Sequence, residues 1–116
     1  MRTIDQVVAD FRREAMGDYV GLWEIVSATI RDLDACSDVD IRRTTISIVK
    51  ELLSQGLQAV DLTERGGCTP WHDQNADAVI VRICREWDSL GKAPDIGDIV
   101  WFDLPDSGLG SEREVE

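Results

Sequence analysis

The chain has 116 residues, the size of one ordinary domain. With 43% apolar and 30% charged residues it is globular in composition, which excludes collagen-like, low-complexity and disordered chains. Twelve Lys and Arg against 23 Asp and Glu give a net charge of −11, which argues against nucleic acid as the main partner.

Thr3 caps a first helix over 3–15, in which Ile4, Val7, Val8 and Phe11 fall on one face of a 3.6-residue period. Gly17-Asp18 ends it, and Asp18 caps a second helix over 19–33. Its stripe is Leu22, Ile25, Val26, Thr29, Ile30 and Leu33, with Trp23 beside it. After a turn at 34–37, Ser37-Asp38-Val39-Asp40 approximates a capping box for a third helix over 38–55. Gly56 is placed to stop it in the left-handed conformation.

A strand is expected at 57–63, then a loop over 64–70 with its turn at Gly66-Gly67. The clearest periodicity follows over 74–90, where Ala76, Val79, Ile80, Ile83, Cys84, Trp87 and Leu90 share a face between Asp73 as N-cap and Gly91 as stop. A second strand is expected at 98–104, ended by Pro105. Its two faces are both apolar, Ile99 and Trp101 on one, Val100, Phe102 and Leu104 on the other. Helices 19–33 and 74–90 covering both faces is the preferred reading, an interaction surface the other. The expectation is an α+β domain, mostly α, over 1–105, with a two-stranded antiparallel ribbon covered by helices. The segment 106–116 reads as an acidic flexible tail; residues 95–116 carry seven acids and one base.

The segments D-Y-V-G-L-W-E-I-V-S-A-T-I-R-D-L and V-D-I-R-R-T-T-I-S-I-V-K-E-L-L-S-Q-G-L-Q-A-V resemble the helix-turn-helix and first wing strand of a winged helix. The strand at 98–104 would be the returning strand, and the helix at 74–90 interrupts the wing. The resemblance implies a DNA-binding regulator with Arg31, Arg42, Arg43 and Lys50 on phosphate. Asp38, Asp40 and Glu51 share that helix, and three bases neutralise few phosphates.

No catalytic constellation stands out. Cys68 and His72 are spaced Cys-x3-His but lack the second close pair of a zinc site, so no metal or cofactor is expected. The same two residues, or Cys84 with His72, lack an orienting partner for nucleophilic catalysis. Gly66-Gly67 lacks the spacing of a phosphate loop. Three scattered cysteines argue against a disulfide framework, and Met1–Gln6 lacks the apolar core of a secretory signal, so a cytoplasmic location is expected.

Four tryptophans are many for this length. Trp71, beside His72 and Asp73, is either a protein-binding anchor or a staple that holds its loop to the fold. Small size, acidity and the absence of catalytic residues resemble the acidic immunity proteins of bacterial contact-dependent growth-inhibition systems and nuclease bacteriocins. That resemblance implies no enzyme activity and one-to-one binding to a basic partner, a nuclease toxin domain, with its active or substrate surface blocked. The partner-binding candidates are Asp61, Glu64, Trp71, Asp73, Asp95, Asp98 and Asp103, around the two strands and the loops at their ends.

Overall fold

The computed structural model describes residues 2–105; the acidic tail expected at 106–116 lies outside the described residues. Four helices and a four-stranded antiparallel sheet follow in the order α1 (Ile4–Ala15), β1 (Val20–Gly21), α2 (Leu22–Leu33), α3 (Asp38–Ser54), β2 (Gln58–Leu62), β3 (Cys68–Pro70), α4 (Ala76–Leu90) and β4 (Trp101–Asp103). The strands lie side by side as β1-β4-β2-β3. The expected two-stranded ribbon is therefore corrected to four strands. Val20 and Gly21 leave the expected second helix to pair with Phe102 and Trp101, and Cys68–Pro70 leave the expected loop to pair with β2.

The helix ends follow local chemistry. Thr3 Oγ1 accepts from Gln6 N at 3.2 Å while Gln6 Oε1 accepts from Thr3 N at 3.0 Å, a reciprocal cap. Ser37 Oγ accepts from Asp40 N, and Gly91 ends α4 with φ of 71°. Two expected caps move. Asp18 instead accepts from Tyr19 N, and Glu24 Oε2 takes up Gly21 N at the start of α2. Asn75, not Asp73, caps α4 by accepting from Ala78 N; Asp73 holds the preceding turn by accepting from Asn75 N.

Gln74 also departs from the helix it was expected to open. Its amide bonds both backbone groups of Ala59, with Oε1 accepting from Ala59 N at 3.0 Å and Nε2 donating to Ala59 O at 2.8 Å. A second bond from Nε2 reaches Trp71 O at 2.9 Å. The side chain thus continues the β2 ladder past Pro70, where β3 ends.

One core gathers Val7, Val8 and Phe11 of α1, Leu22, Ile25 and Val26 of α2, Ile48, Val49 and Leu52 of α3, and Val79, Ile83 and Trp87 of α4. The sheet contributes Val20, Ala59 and Phe102, which are cross-strand neighbours and so share a face. On the other face of β4, Trp101 shares the space above Gly21 with Trp23 of α2. Trp101, opposite Gly21 and Val60, stays outside the core, as does Trp23.

Candidate functional site

The expected binding residues divide between two ends of the sheet. Asp103 lies opposite Gln58, the first residue of β2, whereas Glu64 follows its last residue, Leu62. Most of them also have structural work. The turn before β4 is built by Asp95 and Asp98: Asp98 Oδ2 accepts from Asp95 N at 2.8 Å and faces Lys92 Nζ at 3.8 Å, while Asp95 Oδ1 accepts from Ile96 N. This turn puts Ile99 at φ of 71° and delays β4 to Trp101, which shortens the expected strand. Glu64 and Asp103 make no such bond among the described residues.

Trp71 is 4% exposed, so it staples its loop and presents no surface anchor. Its Nε1 donates to Asp61 Oδ1 at 3.0 Å, and the Arg82 guanidinium stacks 3.7 Å from its ring centroid. Arg82 Nε in turn donates to Glu86 Oε2 at 2.7 Å. Asp61 is thus tied through one carboxylate oxygen to a buried indole, while the residue itself is exposed.

The same device recurs between α3 and α4. Arg42 donates to Asp88 Oδ1 and to Cys84 O, each at 2.7 Å, and lies 5.3 Å from the Trp87 ring centroid. The bond to Asp88 holds the Arg42 guanidinium above its ordinary pKa. A groove of about 310 Å³ opens there, lined by Asp38, Val39, Ile41, Arg42, Trp87 and Lys92 among others. Its two carboxylates face two cations, so it has no net charge.

These contacts also account for the bases of the helix-turn-helix. Arg43 pairs with Asp40 and Arg31 with Asp32, so of the four bases expected on phosphate only Lys50 has no carboxylate partner. Arg2 bridges Asp10 and Asp32, and Arg13 joins Asp10. Asp10 is held below the usual carboxylate range by its bond from Arg2, and Asp32 by its bond from Arg31.

A second acidic group, missed by sequence reasoning, surrounds β1. Burial pushes the Glu14 carboxyl up to about 7, reinforced by a hydrogen bond with Glu24 and by the charges of Glu24 and Asp18. Glu24 holds Gly21 N at 2.9 Å. Above Gly21 lie two indoles: a Cβ built there would stand 2.7 Å from Trp23 Cδ1 and 3.1 Å from Trp101 Cζ3. Both tryptophans are half-buried. The only sequence signal was alternation in β4, which puts Trp101 and Asp103 on the same face.

Among the described residues no group of three or more His, Cys, Asp or Glu is arranged to hold a metal ion. Cys68 is half-buried in β3, and all three cysteines are free thiols. No helix is long and apolar enough to cross a membrane. No protein-family profile matches the chain, and neither a curated protein nor a solved structure matches it.

Proposed function

We propose that this protein is an immunity-type binding protein that neutralises a basic protein toxin, a nuclease domain, by one-to-one occlusion of its active or substrate-binding surface. The observation that carries this reading is the unequal pairing of its charges. Arg2, Arg13, Arg31, Arg42, Arg43, Arg82 and Lys92 each lie within 4 Å of a carboxylate. Asp5, Asp18, Glu51, Glu64, Asp73, Asp77 and Asp103 are among the acids without such a pair. Seven of the bases are thus matched by carboxylates, and several acids with no such match are exposed. A nuclease must be basic to hold its substrate, and an acidic surface competes for that place and accelerates encounter.

A winged-helix regulator is the second reading. It is favoured by the chain order α1-β1-α2-α3-β2 and by β4 returning between β1 and β2. The pairing of Arg31, Arg42 and Arg43 with carboxylates weighs against phosphate binding through that helix pair.

The test is a tagged pull-down from the producing cells at moderate salt, with half the lysate nuclease-treated, followed by assay of any stoichiometric basic polypeptide. One nuclease-insensitive partner whose activity falls to background at a 1:1 ratio is the expected result. Bound DNA with no protein partner, or a partner whose activity is unchanged by saturating protein, refutes it.

A further inference from the structure

Two of the four tryptophans carry an arginine on the ring and two do not. Trp71 lies under Arg82, which is fixed by Glu86; Trp87 lies under Arg42, which is fixed by Asp88. Each is a set of indole, guanidinium and carboxylate. Trp23 and Trp101 have the indole and the carboxylate but no guanidinium among the described residues. Asp103 stands two residues from Trp101 on the same face of β4, and Glu24 holds the Gly21 backbone beneath Trp23.

These two incomplete sets share the sheet face opposite Val20, Ala59 and Phe102, where Trp23 of α2 and Trp101 are half-buried and Val60 is 0% exposed. Trp101 has Gly21 and Val60 as cross-strand neighbours; Asp103 has Gln58. Leu62, 39% exposed, continues the face along β2. Trp23 and Trp101 both lie outside the core, and no cross-linking hydrogen bond fixes the Trp23 ring, because its buried Nε1 has no acceptor. Packing over bare Gly21 backbone sets its position. Asp18 adds negative charge near Glu24, while Glu14, raised to about 7, is about half ionised at neutral pH. A face that is aromatic in the middle and acidic at its border is complementary to a guanidinium, which stacks on an indole and forks to a carboxylate.

We infer that this sheet face, with Trp23, Trp101 and Asp103 at its centre, docks an arginine-bearing loop of the basic protein partner, whose guanidinium completes in trans the set that Arg42 and Arg82 complete within the fold. The inference rests on the reading of this chain as a binder of a basic protein, and it names the surface and the side chain recognised. Arginine is preferred to lysine because the site offers a ring plane and a carboxylate together, which a planar fork matches and a point charge does not.

The full chain, labelled with ¹⁵N, is titrated at low salt with hexa-arginine and separately with hexa-lysine, and the four indole N–H signals are followed. Trp71 and Trp87 serve as internal controls, since their rings are already occupied. The expected result is movement of the Trp23 and Trp101 signals with hexa-arginine, and affinity about three- to tenfold weaker for hexa-lysine. Asp103→Asn should cost about the same factor. Asp103 is half-buried without a bonded partner, so this change leaves the fold intact; a Gly21→Ala variant, which displaces Trp23, gives a second disruption of the face. Movement confined to other acidic regions, such as the β2–β3 turn at Glu64, overturns the assignment of this face while a basic partner stands. Equal affinity for the two peptides overturns the arginine preference. Absence of binding anywhere on the chain overturns the basic-partner reading itself.

Discussion

Gln74→Ala separates an account based on exposure from one based on backbone hydrogen bonds. Gln74 is exposed, and a substitution at an ordinary exposed site changes stability by about 0.5 kcal/mol or less. Its amide, however, makes three bonds, and Ala59, within β2, is 0% exposed. Removing the amide leaves Ala59 N–H buried without an acceptor, a cost of about 1–3 kcal/mol. Ala59 O keeps its bond from Trp71 N at 2.9 Å, so that carbonyl adds little. Trp71 O loses its donor, worth a further ~0.5–1 kcal/mol where water replaces it in part. The expected loss is therefore about 2 kcal/mol, read as a lower urea midpoint at unchanged slope. Gln74→Glu is the sharper variant: it retains an acceptor for Ala59 N but turns a carboxylate toward two carbonyl oxygens. It should destabilise at neutral pH at least as much as alanine and recover on acidification. A Gln74→Ala midpoint within about 0.5 kcal/mol of wild type, with unchanged protection of the Ala59 amide from hydrogen exchange, would refute the reasoning.

Three further outcomes follow from the same structure. Trp71→Phe removes the donor to Asp61 and should cost about 1 kcal/mol, whereas Trp71→Ala also removes the buried ring under Arg82 and should cost about 3–5 kcal/mol; denaturant titration of the pair checks the difference. Arg42→Ala should lower stability by about 1–3 kcal/mol through loss of the bond to Cys84 O and the cover on Trp87, and Arg42→Lys should restore less than half, measured by thermal unfolding. Glu14 titrates at about 7 in the fold against 4.5 for an ordinary carboxyl, so its contribution is full below pH 4.5 and is lost as pH rises through 7. Glu14→Gln should flatten that decline in the urea midpoint, and a variant that tracks wild type across this window would count against the Glu14–Glu24 contact.

The helices were legible because each carries its own signals: a stripe at 3.6-residue spacing, a capping side chain and a left-handed stop. Thr3, Ser37, Gly56 and Gly91 do what their residue types suggest. The short strands were not legible, because a two- or three-residue strand has no period of its own. Val20-Gly21 reads as the first turn of α2 until β4 offers it partners, and Cys68-Thr69-Pro70 reads as loop because Pro70 suits a turn equally well. Trp71 shows the corresponding limit at the site. Neither Asp61 nor Arg82 is near it in sequence, and burial depends on both. Trp23 was placed beside its helix stripe correctly, yet its neighbour Trp101 is 78 positions away and meets it only across Gly21.

The acid excess has a structural counterpart that composition alone does not convey. With 23 acids and 12 bases, carboxylates are plentiful enough to pair with most cations, and the informative feature is where those pairs fall. Here Arg42 joins α3 to α4, and Arg2 joins α1 to the end of α2. Arg82 ties α4 to the loop after β3. Helices that carry like charge repel, and each of these contacts places a cation where two elements meet. Arg2, Arg42 and Arg82 therefore sit at joints between elements, each held by a carboxylate. A polyanion would have to displace Asp88 from Arg42 or Asp40 from Arg43 to reach those two bases, whereas Lys50 carries no such pair. A polycation meets no such competition at Asp103 or Glu64, which have no cation to give up. That asymmetry is the electrostatic basis of the proposed basic partner, and it holds independently of which face the partner occupies.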